Sequence, residues 1–110
     1  MDAELRKELA EWCAKLSAQL ESGVFITKAL DQLAIEVRNP RLRQATDHLR
    51  RRVEDGENIT TALRTFPDVF DRRLIALIGC GEACGIVPDV LKIAPEYICS
   101  NSVKYGDEGE

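Results

Sequence analysis

The chain has 110 residues, 45% of them hydrophobic and 31% charged, with a formal net charge of −4. That length holds one domain around a single core, and the acidic balance argues against a nucleic-acid binder, which would be basic overall. Aromatic residues make up only 5%, so the core is expected to be aliphatic, as in a helical bundle. Cys13, Cys80, Cys84 and Cys99 form no C-x-x-C pair, and the N-terminus is too polar for a signal peptide. They are read as reduced, buried small hydrophobes in a cytoplasmic protein. The longest apolar run, Leu74 to Cys80, is far short of the roughly 20 residues of a membrane span, so the chain as given reads as soluble.

The first helix is predicted from about Asp2 to Ser22, where Leu5, Leu9, Trp12, Cys13, Leu16 and Leu20 make one apolar stripe. Gly23 stops it. Thr27 is the expected N-cap of a second helix that turns Ala29, Leu30, Leu33, Ala34 and Val37 inward. Asn39 caps a third helix with Pro40 in its first turn, and Leu42, Ala45, Leu49 and Val53 face the core until Gly56. Arg50, Arg51 and Arg52 lie in its last turn, where positive charge suits the helix dipole.

A short fourth helix is expected from Thr60 to Thr65, broken by Phe66-Pro67. Asp71 caps a fifth, in which Leu74, Ile75, Leu77 and Ile78 recur at helical spacing. Gly79 and Gly81 interrupt that pattern. Each costs a helix roughly 1 kcal/mol relative to alanine, which points to a close backbone approach. Gly85 ends the helix in the left-handed conformation. The sixth helix is placed from Pro88 to about Ser100, with a kink or early end at Pro95, followed by a polar, frayed tail over residues 101–110. No stretch alternates like a strand.

Gly23-Val24-Phe25-Ile26-Thr27-Lys28-Ala29-Leu30 and Gly56-Glu57-Asn58-Ile59-Thr60-Thr61-Ala62-Leu63 agree at glycine, isoleucine, threonine, alanine and leucine, and Gly85 to Leu91 is a looser third copy. In this reading glycine ends one helix, isoleucine packs over the turn, threonine caps the next helix, and Ala-Leu faces its partner. The predicted fold is therefore all-α, a six-helix bundle of three successive antiparallel helical hairpins occupying residues 1–100. Tetratricopeptide and ankyrin motifs are absent, and the helix lengths are too unequal for a solenoid.

In order along the chain, Leu16 with Glu21-Ser22-Gly23, Ala29-Leu30, Asn39-Pro40-Arg41-Leu42, Val53 with Gly56 and Ala62-Leu63, Phe66-Pro67-Asp68-Val69-Phe70, Gly81-Glu82 with Gly85, and Val90-Leu91 resemble the cytoplasmic F-protein domain of type II secretion and type IV pilus machines. The resemblance implies an architectural role on the cytoplasmic face of the bacterial inner membrane. There the platform protein would link the assembly ATPase to the membrane components that move pseudopilins or pilins. It also implies a homodimer, built on helix one around Trp12 or around Glu82. Cys84 and Pro88 depart from the family pattern, which favours serine or threonine at the first and an acid at the second. The platform protein also carries membrane helices and a second such domain.

Glu82 is the candidate site residue. The resemblance implies calcium at a dimer interface, held by Glu82 with Asp89 and oxygens of a second chain, since calcium takes six to eight oxygens. The preferred reading is that Glu82 accepts hydrogen bonds from backbone amides near Gly85 and Ile86, or pairs with an arginine, as buried acids must. Arg50, Arg51 and Arg52 are either a solvated face or a docking surface for an acidic partner or anionic lipid. His48 has no catalytic companion and is read as solvated, so no nucleophilic or acid–base machinery is expected. Cys80 and Cys84 share a helix face and are read as core, because zinc would need two further ligands. The remaining alternatives are a stand-alone helical adaptor and a metal-responsive module.

Overall fold

The computed structural model describes residues 3–108, and the side chains through residue 96 together with that of Ile98. Asp2, the side chain of Cys99, and the side chains of the polar stretch 101–110 lie outside the described residues. The described part contains six helices and no strand: α1 (Ala3–Glu21), α2 (Ile26–Glu36), α3 (Pro40–Glu54), α4 (Ile59–Leu63), α5 (Arg72–Cys84) and α6 (Val87–Glu108).

Three turns with one hydrogen-bond pattern connect the helices. Gly23, Gly56 and Gly85 all have positive φ, at 91°, 96° and 75°. After each glycine, the next residue's amide reaches back to a carbonyl five positions earlier: Val24 to Gln19 at 3.0 Å, Glu57 to Arg52 at 3.1 Å, Ile86 to Gly81 at 2.8 Å. This is the Schellman closure of a helix, which requires a left-handed residue. The repeat visible in the sequence is thus a repeated turn. Ile26 and Ile59 pack partly buried against the core beside their turns, as expected.

The threonines of the repeat do not cap. Phe25 and Asn58 are the N-cap residues of α2 and α4, and neither side chain makes a capping hydrogen bond. Thr27 and Thr60 lie within the first turn, because each helix starts earlier than its threonine predicts. Asn39 and Asp71 do cap. The Asn39 side chain accepts from the amides of Arg41 and Leu42 at 2.9 and 3.1 Å, and Asp71 accepts from that of Leu74 at 2.8 Å.

Trp12, Leu9, Leu16, Leu30, Leu33, Leu42, Leu49, Leu63, Phe70, Leu74, Ile78 and Leu91 form the centre of the core. The most extensive helix pairings are α1 with α6 and α2 with α3. Each helix also packs on its chain neighbours, so the helices form a ring closed by α1 and α6. Two buried hydroxyls join the layers. Trp12 donates its Nε1–H to Thr46 at 2.9 Å, Thr46 donates to the Leu42 carbonyl at 2.7 Å, and Ser17 of α1 donates to the Pro88 carbonyl of α6 at 2.7 Å. Trp12 is 2% exposed, which withdraws it from the dimer contact expected of it.

The sixth helix departs from expectation at its far end. It neither stops at Pro95 nor at Ser100, and runs to Glu108. A proline inside a helix removes one backbone donor and costs about 3 kcal/mol. Leu91, Ala94 and Ile98 around it are buried in the same cluster as the α1 stripe, and that burial offsets the lost hydrogen bond.

Candidate functional site

Glu82 reaches out of α5 to the start of α4. Its Oε2 accepts the Ile59 amide at 2.7 Å, and its Oε1 accepts the Thr60 amide at 3.1 Å and the Thr60 hydroxyl at 2.6 Å. The first amides of a helix have no partners within it, and Asn58 leaves them unsatisfied. A carboxylate beside them also meets the positive end of the peptide dipoles. Glu82 is therefore the cap of α4, supplied from a helix 22 residues further along. The amides it accepts are not those near Gly85 and Ile86; these bond instead to the carbonyls of Glu82 and Gly81.

Gly81 places that carboxylate. A Cβ at this position would lie 2.8 Å from the Val90 Cγ2 and 3.3 Å from the Val87 Cα, so the absent side chain lets α5 close on α6. Gly79 differs. Its Cβ would meet only the Thr60 side chain, at 3.5 Å, an ordinary contact.

Glu8 repeats the Glu82 arrangement at the start of α3, and nothing in the local sequence pattern pointed to it. From α1 it accepts the Arg38 amide at 2.6 Å and the Asn39 amide at 3.1 Å, just before α3 begins. Two carboxylates thus tie long helices to the starts of other helices.

The Asn-Pro-Arg and Phe-Pro-Asp segments meet in space. Arg41 donates from Nε and Nη2 to the two oxygens of Asp68 at 2.6 and 2.9 Å, the two-pronged geometry that suits a guanidinium and a carboxylate. The same guanidinium lies 4.6 Å from the Phe66 ring centroid, within cation–π range. The Phe66 ring in turn packs at a tilt of 59° on that of His48, 5.2 Å between centroids. His48 is consequently half-buried, with its Nε2 enclosed and without a hydrogen-bond partner, and not solvated as expected. The loop after α4 folds over it.

The Arg41 hydrogen bonds hold the Asp68 carboxyl below its ordinary value, and Asp68 raises Arg41 in return. A carboxylate whose folded pKa is depressed stabilises the fold above its unfolded pKa and loses that contribution as pH falls through the folded one. The pair is about half exposed, so the effect is small and screened by salt. Asp68→Asn should melt below the parent at neutral pH, the gap narrowing as pH falls below about 4, the ordinary carboxyl value, and closing once it passes the depressed one. A gap that stays constant across that range would show that the pairing contributes nothing.

Arg50, Arg51 and Arg52 are spent on carboxylates of their own chain. Arg50 pairs with Asp47 at 3.0 Å and Glu54 at 3.2 Å, Arg51 with Asp47 at 2.9 Å, and Arg52 with Glu57 at 2.9 Å. An acidic partner would have to displace these. Asp89 lies exposed in the first turn of α6, a position that favours an acid by the dipole. Among the described residues, no three or more of His, Cys, Asp and Glu gather in a group suited to a metal ion.

The cysteines divide. Cys13 is buried, as expected, and desolvation pushes its thiol up to about 12. Cys80 and Cys84 are exposed, contrary to the core reading. The buried side of α5 is Leu74, Ile78 and Gly81, and the two thiols lie off it. Reaction needs the thiolate and access, so alkylation of the native chain should label Cys80 and Cys84 and spare Cys13 until unfolding. Peptide mass mapping reads this directly, and early labelling of Cys13 would contradict its burial.

The profile of the family described as type II secretion system (T2SS), protein F, matches residues 12–98. The chain belongs to this family. The match takes in Glu82 with its α4 partners, the Arg41–Asp68 clamp and all three glycine turns, and begins after Glu8. Similar proteins include the type IV pilus assembly protein PilC of Myxococcus xanthus, 35% identical over 95 residues and 84% of this chain. The type II secretion system protein F of Vibrio cholerae is 27% identical over 90 residues, and PilC of Pseudomonas aeruginosa is 23% identical over 90 residues, each across 82% of the chain. The matched region spans 22%, 22% and 24% of these relatives respectively. No helix among the described residues of this T2SS protein F domain is long and apolar enough to cross a membrane.

Proposed function

We propose that this T2SS protein F domain is an architectural part of the inner-membrane platform of a secretion or pilus machine. On the cytoplasmic face it would join the assembly ATPase to the membrane components that move pseudopilins or pilins. The observation that carries the reading is the family match across residues 12–98, supported by relatives named for type II secretion and for type IV pilus assembly. The internal geometry suits the role. Glu8, Glu82 and the Arg41–Asp68 pair each join segments far apart in sequence, and such joints let a bundle pass force between its surfaces without deforming. No chemistry is assigned to the domain.

Calcium at Glu82 and Asp89 would draw the carboxylate off Ile59 and Thr60. A ligand that binds only the folded state raises its melting point, so unchanged melting in calcium and in chelator removes that role. A docking role for Arg50, Arg51 and Arg52 predicts that their replacement by glutamate weakens partner binding in a chain that still melts cooperatively, at a lower temperature because Asp47, Glu54 and Glu57 lose their partners.

Reading the gene beyond the codon for Glu110 tests the platform assignment. An open frame with a hydrophobic stretch of about 20 residues and a second copy of the Asn-Pro, Phe-Pro and Gly-Glu pattern is expected. A stop within a few codons would move the stand-alone adaptor reading ahead of it.

A further inference from the structure

The outer side of α5 is unusual for an exposed helix. From Leu74 to Gly81 it carries no charge, and the next residue, Glu82, is turned to α4. Ala76, Cys80 and Ala83 are exposed on this side. Together with Gly79 they floor a groove of about 620 Å³ between α5, α4 and the loop that joins them. The residues are small, so a second helix can approach closely along them. From Arg72 to Ala83 the groove follows α5 for about 16 Å at 1.5 Å per residue, some three helical turns.

Arg64 and Arg72 line the same groove. Both are exposed, and neither meets a carboxylate among the described residues. Arg41, Arg50, Arg51 and Arg52 all do. In a chain of net charge −4, two unneutralised guanidiniums beside an apolar floor complement an acidic partner, because opposite charge steers encounter and fixes register. An apolar groove of this length matches the stripe of an amphipathic helix, with anchors at i, i+3, i+4 and i+7.

We infer that the α5 groove docks an amphipathic helix of another protein, about three turns long, whose apolar stripe lies on Ala76, Gly79, Cys80 and Ala83 and whose flanking carboxylates pair with Arg64 and Arg72. The inference rests on the platform reading above and adds to it the surface and the chemistry of a partner.

The probe is a synthetic leucine-striped helical peptide of about four turns, made with flanking glutamates and, separately, with flanking lysines. Cys80 lines the groove and Cys84 is exposed outside its lining, so their alkylation rates report occupancy with an internal control. With the 110-residue chain, the glutamate peptide should slow alkylation of Cys80 at least about fivefold and leave Cys84 unchanged. The double variant R64E/R72E, checked for native melting, should weaken that protection by about tenfold or more, roughly 1.4 kcal/mol. Three results would overturn the groove: no protection at about 1 mM peptide, equal protection by the lysine peptide, or equal protection of the double variant. Protection that rises with the chain's own concentration would assign the groove to a second copy and overturn it too. Assembly-ATPase binding by a chain whose groove fails these tests leaves the platform reading in place.

Discussion

Glu82→Ala should lower the unfolding free energy by about 2–4 kcal/mol, the upper part of the range for losing hydrogen bonds to a charged group and leaving their donors unpaired. The loss falls on one helix end. Two amides and a hydroxyl lose their acceptor together, and α4 has five residues, too few to hold itself without an external cap. For a domain of this size the melting temperature should fall by roughly 10–25 °C. Glu82→Gln keeps one acceptor oxygen but turns an amide N–H₂ toward backbone donors, so an intermediate loss is expected. Thermal melts of the three proteins measure the series, and hydrogen exchange at Ile59 and Thr60 locates it. Melting of the alanine variant within a degree or two of the parent would show that the carboxylate does not hold α4.

The two glycines of α5 should respond to alanine with opposite signs. At Gly81 the new Cβ falls 2.8 Å from the Val90 Cγ2 and 3.3 Å from the Val87 Cα. Valine in a helix has one strongly preferred rotamer and cannot turn aside cheaply, and the Val87 contact is backbone. Overpacking of this kind costs about 1–3 kcal/mol, and the gain of roughly 1 kcal/mol in helix propensity offsets only part of it. At Gly79 the Cβ has ordinary space at 3.5 Å, so Gly79→Ala should be neutral or stabilising by up to about 1 kcal/mol. Adding Val90→Ala to Gly81→Ala should recover part of the loss. Denaturant midpoints at constant slope are the readout. A Gly81→Ala protein as stable as the parent would mean that α5 and α6 do not close on this glycine.

What the sequence revealed and what it hid follow from how local each cause is. Asn39 and Asp71 were legible as caps because the amides they accept lie two or three residues away. The role of Glu82 was not, since its donors lie 22 and 23 residues off and no short window holds both halves. Glu8 was missed for the same reason, with partners 30 and 31 residues away. The repeated turn was visible because a left-handed residue demands glycine, whereas the threonine beside it had two available duties and Thr60 took the less common one. Cys80 and Cys84 were misplaced because α5 is apolar almost all round. Periodicity then does not say which side is buried, and the approach to α6 at Gly81 decides it. The sixth helix passes Pro95 because its burial against α1 outweighs a local penalty that sequence reading sees alone.

The platform role is tested most directly by titrating the 110-residue chain into the purified assembly ATPase of its own cell and following complex formation by sedimentation. A saturable complex, with a dissociation constant on the order of micromolar, is the expected result. No complex with both proteins at about 100 µM would contradict a domain that links the ATPase to the membrane.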